Sequence, residues 1–161
     1  MPRSPEDFEN MRDLTRKKIE TAALSLFARK GLSVKIGEIA QKAGVSQGLL
    51  YSHYLSKDAL IIELAHQATA ISSENTAMMV HGNDSAADKI KRISAMMCQM
   101  FTFVPQGIEY FMFMIQLGMS DFKLPDTGFA EIRSPLENLT SVVAQGQAEG
   151  SVVGGDPMQL T

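Results

Sequence analysis

The sequence lacks the features that mark disulfide-bonded, metal-binding or membrane-spanning proteins. Cys98 is the single cysteine among 161 residues, which leaves neither a disulfide framework nor a zinc cluster and suits a reducing, cytoplasmic setting. The most apolar run, Ile108 to Met119, is about half the roughly 20 residues that a membrane span needs. The charged start has no apolar signal core, and the histidines have no ligand spacing. We therefore expect no membrane partner, no metal and no cofactor.

Strand signals are also missing, because no stretch rich in Val, Ile, Thr or aromatic residues alternates with period two. Helical spacing is found instead along most of the chain, so we predict an all-α fold. The first helix is expected to begin at Ser4 and Pro5 and to end at Gly31. Its predicted core stripe consists of Ile19, Ala22, Ala23, Leu26 and Phe27.

Capping residues and apolar stripes also predict the later helices. Ser56 and Ser85 are predicted caps of the fourth and fifth helices. Asp156 and Pro157 have the form of a helix start, yet too few residues follow for a stable helix. We therefore expect the chain to be cut short at its C-terminus. The fifth and seventh helices have predicted inward stripes, formed by Ile90, Ile93, Met97, Met100 and Phe101 and by Phe129, Ile132, Leu136, Leu139 and Val143.

Charge is distributed unevenly along the chain. Residues 1–58 carry 10 Lys and Arg against 7 Asp and Glu, a net charge of +3. Residues 59–161 carry 5 and 11, a net charge of −6. A basic N-terminal part on an acidic remainder is consistent with an anionic partner for the N-terminal part, although chance also produces such a difference.

Residues 43–54, AGVSQGLLYSHY, permit two interpretations. Gly44-Val45-Ser46-Gln47-Gly48 matches the G-x-S-x-G elbow that presents the nucleophile of serine hydrolases, which requires a strand before the serine. The preceding residues 36–43 carry apolar side chains at helical spacing, which favours a helix-turn-helix. In that interpretation Gly44 makes the turn and Ser46 caps a helix that enters the major groove of DNA.

The side chains of this short helix suit DNA. Gln47 can pair with adenine through two hydrogen bonds, and Gly48 permits a close approach to the bases. Tyr51 and His53 offer hydrogen bonds to phosphates, and Lys57 adds a positive charge. Lys35 and Lys42 flank the preceding helix, where Lys42 has the pattern of an ordinary solvated residue.

Residues 15–65 resemble the N-terminal domain of the TetR family of bacterial transcriptional regulators. The resemblance rests on several anchors at matched spacing, namely Ala22-Ala23-x-x-Leu26-Phe27, Gly31, Ile39-Ala40, Ala43-Gly44-Val45-Ser46, Leu50-Tyr51-x-His53-Tyr54 and Ser56-Lys57. It implies a three-helix DNA-binding domain over residues 1–57. It further implies a helical ligand-binding and dimerisation domain over residues 58–161, with the last dimerisation helices missing.

The same resemblance implies base-facing positions for Gln47 and Gly48, phosphate contacts for Tyr51, His53 and Lys57, and the partners. The predicted DNA-binding residues are Lys35, Ser46, Gln47, Gly48, Leu49, Tyr51, His53 and Lys57. Leu49 stands where the family commonly has Thr or Ser, and Gly37 stands where a polar or basic contact is common. The implied partners are double-stranded DNA with a near-palindromic operator, a small hydrophobic ligand and, in the full-length protein, a second copy of the chain.

Residues 78–119 are rich in methionine and phenylalanine, with 8 of the 11 methionines of the chain. Such adaptable side chains suit a pocket for an apolar or aromatic molecule, although a plain hydrophobic core has the same composition. The predicted ligand-binding residues are Met97, Met100, Phe101, Phe111, Met114 and Gln116. Cys98, on the same helix as Met97, is expected to be packed rather than redox-active.

The sequence therefore predicts a ligand-responsive DNA-binding repressor and no enzyme. One alternative is a helical module that binds a protein and has no DNA role, which the charge distribution also permits. A remote alternative is a serine hydrolase that uses Ser46.

Overall fold

The computed structural model describes residues 5–80, 83–125 and 139–160, and the described residues are helical without strands. The predicted all-α fold is confirmed. In chain order the helices are α1 (Pro5–Lys30), α2 (Ile36–Ala43), α3 (Gln47–His53), α4 (Lys57–Val80), α5 (Ala86–Phe103) and α6 (Gly107–Gly118). A further helix, α7, is described over residues 139–148.

Glycines end the first two helices where the sequence predicts it. Gly31 has φ 77° and its N–H donates to the Phe27 carbonyl over 2.9 Å. Gly44 has φ 68° and closes α2 with hydrogen bonds from the cap to the Ala40 and Gln41 carbonyls. A side chain at either position would be strained in this left-handed backbone, so glycine is the residue that the two turns require.

Serine hydroxyls begin three helices, as predicted. Ser46 Oγ accepts from Leu49 N over 3.1 Å, Ser56 Oγ accepts from Ala59 N over 3.0 Å, and Ser85 Oγ accepts from Asp88 N over 3.2 Å. Each hydroxyl satisfies one of the N–H groups that the first turn of a helix leaves without a partner. The predicted cap Ser4 lies outside the described residues.

Two compact units make up the chain. The first, called the head below, joins the chain up to Ala65 with Glu109–Phe122; the second consists of His66–Ile108 and the chain from Lys123 onwards. The head therefore contains α1 to α3, the start of α4 and most of α6. The division into a DNA-binding domain over residues 1–57 and a ligand-binding domain over residues 58–161 stays a prediction.

The core of the head is built on α1. The predicted stripe is confirmed, since all five of its side chains are buried. The Phe27 ring faces the Phe113 ring of α6, with 6.0 Å between their centroids. Contacts of this kind hold aromatic rings at offset or tilted angles, and the burial of both rings stabilises the head. The other fully buried large side chains here are Leu24, Ile39, Leu50, Leu60, Ile61 and Leu64.

The second unit packs differently from the prediction. Ala86, Ile93 and Val142 form its buried cluster, with Met97 and Leu139 packed partly against them. The inward position predicted for Ile90 is wrong, because Ile90 is exposed, whereas Val143 is half-buried. Met100 and Phe101 are half-buried. Phe129, Ile132 and Leu136 of the predicted α7 stripe lie outside the described residues.

A lysine is buried on α5 beside the predicted apolar stripe. Lys89 is 6% exposed, and its Nζ donates to Gln145 Oε1 of α7 over 2.8 Å. Gln145 also donates to the carbonyl of Asp84 over 3.0 Å. A buried ammonium is tolerated only when it is hydrogen-bonded, so this pair fixes how α5 and α7 meet.

Three smaller expectations can be compared with the structure. Cys98 is exposed, which corrects the expectation that it is packed. Asp156 Oδ1 accepts from Met158 N over 3.0 Å, so the predicted helix start forms a single turn. Among the described helices, none combines the length and the apolar character that a bilayer crossing requires.

Candidate nucleic-acid interface

The segment with two interpretations is a helix-turn-helix. Helix α2, not a strand, precedes Gly44, and α3 follows it. Val45 N donates to the Ala40 carbonyl over 3.0 Å across the turn. Ala40 is buried where the two helices meet, and Ile39 and Leu50 fill the space between them. The strand that a nucleophile elbow needs is replaced by a helix, so Ser46 has the position of a cap.

Helix α3 is anchored through one side chain and exposes the others. Leu50 is fully buried, whereas Gln47, Gly48 and Leu49 at its N-terminal end are exposed. Tyr51 is 47% exposed, and His53 is half-buried at the last turn. An anchored helix with a free N-terminal half is the geometry with which a recognition helix meets base edges. The predicted base-reading residues thus form the exposed first turn of α3.

The two predicted lysine contacts differ in their surroundings. Lys35 is exposed immediately before α2. Lys57 is half-buried, and its Nζ donates to the Leu32 carbonyl over 2.8 Å. An ammonium has three N–H donors, so Lys57 can tie α4 to the loop before α2 and still offer a charge to a phosphate. Its predicted phosphate contact stays a prediction.

The start of α2 is held by Glu38. Its carboxylate accepts from the backbone N–H of Lys35 over 3.2 Å and pairs with Lys30 Nζ over 2.9 Å. The hydrogen bond from Lys30 lowers the pKa of Glu38, helped by the one from Lys35. This carboxylate joins the end of α1 to the start of α2, the end of the helix that lies near the DNA backbone in such motifs.

A charged network holds the end of α3 against α1 and α4. Arg16 Nε lies 3.0 Å from Glu20 Oε1 and 3.2 Å from Tyr54 Oη, and Arg16 Nη2 lies 3.1 Å from Glu63 Oε1. Tyr54, the C-cap of α3, donates its phenol proton to Glu20. Burial, followed by that hydrogen bond, raises the pKa of Tyr54. The network therefore positions α3 from behind through four polar side chains.

Sequence reasoning missed this supporting network. The spacing of four between Arg16 and Glu20 is a recognisable helix pair. Tyr54 and Glu63 carry no such signal, because their partner Arg16 lies far away in the sequence. Tyr54 was part of the family resemblance, yet its phenol oxygen gave no indication of a partner.

The predicted ligand residues are divided between the two units. Met97, Met100 and Phe101 belong to the second unit and are half-buried, whereas Phe111, Met114 and Gln116 belong to the head. The carboxamide oxygen of Gln116 lies 3.2 Å from the position that a Cβ on Gly31 would take. Gln116 thus lies against the end of α1, and the predicted ligand role of all six residues stays a prediction.

One groove lies on the head, with a volume of about 370 Å³. Its lining includes three lysines and two alanines, namely Lys17, Lys18, Lys42, Ala22 and Ala43. Within the described ranges, no group of three or more His, Cys, Asp or Glu side chains has the arrangement of a metal site.

Comparison with known proteins gives a family for the head. Residues 19–64 match the family described as "Bacterial regulatory proteins, tetR family". The chain is 43% identical over 51 residues to the HTH-type transcriptional regulator AcrR of Shigella flexneri, an alignment that covers 31% of this chain and 24% of AcrR. It is 33% identical over 69 residues to the uncharacterised HTH-type transcriptional regulator YvdT of Bacillus subtilis (strain 168), covering 42% of this chain and 36% of YvdT. The aligned segments thus span about a quarter and a third of these curated relatives.

Solved structures share the fold over most of the chain. A gamma-butyrolactone receptor (ArpA-like protein) superposes with a TM-score of 0.69 at 20% identity, over 93% of this chain and 77% of that one. AibR, solved in complex with isovaleryl coenzyme A and operator DNA, superposes with a TM-score of 0.66 at 16% identity, over 91% and 78%. At these identities the likeness establishes the fold.

Proposed function

Because residues 19–64 match the tetR family of bacterial regulatory proteins, we propose that this chain is a sequence-specific DNA-binding transcriptional regulator. Helix α3 enters the major groove with Gln47, Gly48 and Leu49 towards base edges. Lys35, Tyr51, His53 and Lys57 contact phosphates and set the register of the head on the duplex.

The observation that carries this proposal is the combination of a buried anchor and an exposed N-terminal half in α3. Leu50 holds the helix in the core, Ser46 caps it, and Gln47 to Leu49 are left in solvent. The exposed Leu49 is apolar, which suits contact with a thymine methyl group. A helix that served only to complete the core would not need three exposed residues at its capped end.

Selection from a pool of random DNA duplexes tests the proposal. We expect the parent protein to enrich one sequence pattern, with half-sites related by a dyad if the protein binds as a dimer. Gln47→Ala is expected to weaken binding to the enriched duplex by about 1–3 kcal/mol and to relax one position of each half-site. Gln41→Ala, an exposed amide on α2, is the matched control and is expected to leave the pattern unchanged. Enrichment of no pattern by the parent would contradict the proposal.

We further propose that a small apolar ligand releases the protein from its operator, so that the protein acts as a repressor. The structural neighbours include a gamma-butyrolactone receptor and AibR in complex with isovaleryl coenzyme A and operator DNA, which supports a small-molecule response in proteins of this fold. Helix α6 is the element best suited to transmit such a response. Phe113 packs on Phe27 within the head, and the same helix carries the half-buried Met114 among the predicted ligand residues.

The ligand response has its own test. Apolar small molecules, including acyl-coenzyme A esters and lactones, are screened for compounds that release the protein from the enriched duplex. A responsive compound is then expected to bind less tightly when the protein is already on DNA, since linkage is reciprocal. Absence of any such compound from a broad screen would count against the repressor mechanism and leave DNA binding in place.

A further inference from the structure

Gly37 and Gln47 meet across the helix-turn-helix. Gly37 lies in the first turn of α2, and Gln47 is the first residue of α3. A Cβ placed on Gly37 would lie 3.1 Å from Gln47 Nε2 and 3.8 Å from Gln47 Cδ. The Gln47 carboxamide therefore occupies the space that the missing side chain of Gly37 leaves open.

The backbone conformation of Gly37 does not require a glycine. Its backbone is not among those with positive φ, unlike Gly31 and Gly44. Inside a helix glycine is less favourable than alanine, because it loses more conformational freedom on folding. Among the described residues, and apart from the neighbouring backbone of α2, the Gln47 side chain alone comes within 4 Å of the added Cβ. The benefit of glycine at this position is therefore the room that it gives to Gln47.

That room bears on base recognition. A glutamine reads adenine with its Oε1 and Nε2 together, so the plane of the carboxamide has to match the plane of the base. The terminal torsion of glutamine is broad, and its neighbours decide which orientation is populated. A Cβ at 3.1 Å from Nε2 is closer than the usual contact between carbon and nitrogen, so the carboxamide has to shift away from α2.

We propose that Gly37 is a specificity-determining residue that acts through Gln47. By omitting a side chain it lets the Gln47 carboxamide rest against α2, and this resting position sets which base Gln47 selects. The inference depends on the proposed DNA-binding function. Gly37 touches no base in this role, so it is a positioning residue.

The test compares four full-length proteins by selection from a pool of random DNA duplexes, followed by titration of the parent's preferred duplex. The proteins are the parent, Gly37→Ala, Gln47→Ala and the double variant. Gly118→Ala is the matched control, because an added Cβ there meets nothing within 4 Å. Thermal unfolding of each variant accompanies the titration.

We expect Gly37→Ala to change the base preferred at one position of each half-site and to weaken binding to the parent's duplex about tenfold, as for the loss of one base contact. Its melting temperature is expected to equal or exceed that of the parent, since alanine favours the helix. In the Gln47→Ala background, Gly37→Ala is expected to change affinity by less than about twofold, because the two changes act on the same contact.

Three outcomes have different meanings. An unchanged base preference for Gly37→Ala would overturn the inference. A full effect of Gly37→Ala in the Gln47→Ala background would also overturn it, because the new Cβ would then act on DNA without Gln47. A parent that enriches no sequence would overturn the proposed function itself, and the inference with it.

Discussion

The head and the second unit are each stabilised internally, and the apolar cores that stabilise them differ in size. The head buries several large apolar side chains almost completely, among them Phe27, Leu24 and Leu50. In the described part of the second unit, the buried cluster is small and consists of Ala86, Ile93 and Val142. Among the described residues, the head thus has the larger apolar core, in which Leu50 anchors α3, and the second unit has the smaller one.

The polar contacts of the two units also join different kinds of elements. In the head, Arg16, Glu20 and Tyr54 join α3 to α1 behind a core that is already packed. In the second unit, Lys89 donates to Gln145 over 2.8 Å and the Ala86 N–H donates to Glu149 over 2.9 Å, and both hydrogen bonds link α5 to α7 and the residue after it. Loss of a polar contact should therefore affect function in the head and local stability in the second unit.

The largest expected effect is on the apolar cores. Phe27→Ala should reduce the free energy of unfolding by about 3–5 kcal/mol, because it removes a buried ring and leaves a cavity beside Phe113. Val142→Ala, the matched change in the second unit, should cost roughly 2 kcal/mol for two buried methyl groups. Denaturant unfolding followed by circular dichroism measures both values. Equal losses from the two variants would contradict the contrast between the cores.

Tyr54→Phe should have the next largest effect. The change removes the phenol oxygen between Arg16 and Glu20, and hydrogen bonds to charged groups at a partly exposed site are worth about 1–2 kcal/mol. Because Tyr54 caps α3, the variant should also bind the enriched duplex more weakly. The same measurements on Glu20→Gln test whether the residues act as one network. Fully additive effects in the double variant, which combines Tyr54→Phe with Glu20→Gln, would show that Tyr54 and Glu20 act independently.

The two serine caps offer a matched pair of smaller changes. Ser46→Ala and Ser85→Ala should each cost about 1 kcal/mol, since each removes a hydroxyl that accepts from the first turn of a helix. Only Ser46→Ala should weaken DNA binding, because Ser46 begins α3 in the head. Thermal unfolding and duplex titration of both variants check this. An equal loss of DNA affinity from Ser85→Ala would break the separation between the units.

The smallest expected effect depends on pH. The hydrogen bond from the Ala86 N–H, followed by that from Gln145, lowers the pKa of Glu149. A carboxylate with a lowered pKa stabilises the folded state at pH values above the ordinary pKa of glutamic acid, and this stability is lost as the pH falls through the lowered value. Glu149→Gln should therefore flatten the decline of melting temperature in acid. An identical decline in the variant and the parent would contradict this role.

Much of the head could be predicted from the sequence because its signals are local. Glycines at the ends of α1 and α2 and serines at the starts of α3 and α4 each act within four residues of themselves. The stripe on α1 follows from its helical spacing, although the buried Leu24 and Ala28 lie outside it. The cap and turn signals predicted the helix-turn-helix.

The second unit was harder to predict because α5 has apolar residues on more than one face. Ile90 and Ile93 both fit a stripe, and only contacts with α7 decide that Ile93 is buried. The buried Lys89 has its partner Gln145 in α7, at a distance along the chain that periodicity does not detect. The contact of Gly37 with Gln47 was not predictable from the sequence either, because it depends on how α2 and α3 cross.

The most direct test of the central claim, that the head reads DNA sequence through α3, is equilibrium binding of the full chain to the enriched duplex and to a scrambled duplex at several salt concentrations. The expected result is at least about 10³-fold tighter binding to the enriched duplex at physiological salt. For both duplexes, log affinity should fall linearly with log salt concentration. Equal affinity for the two duplexes at every salt concentration would contradict the claim.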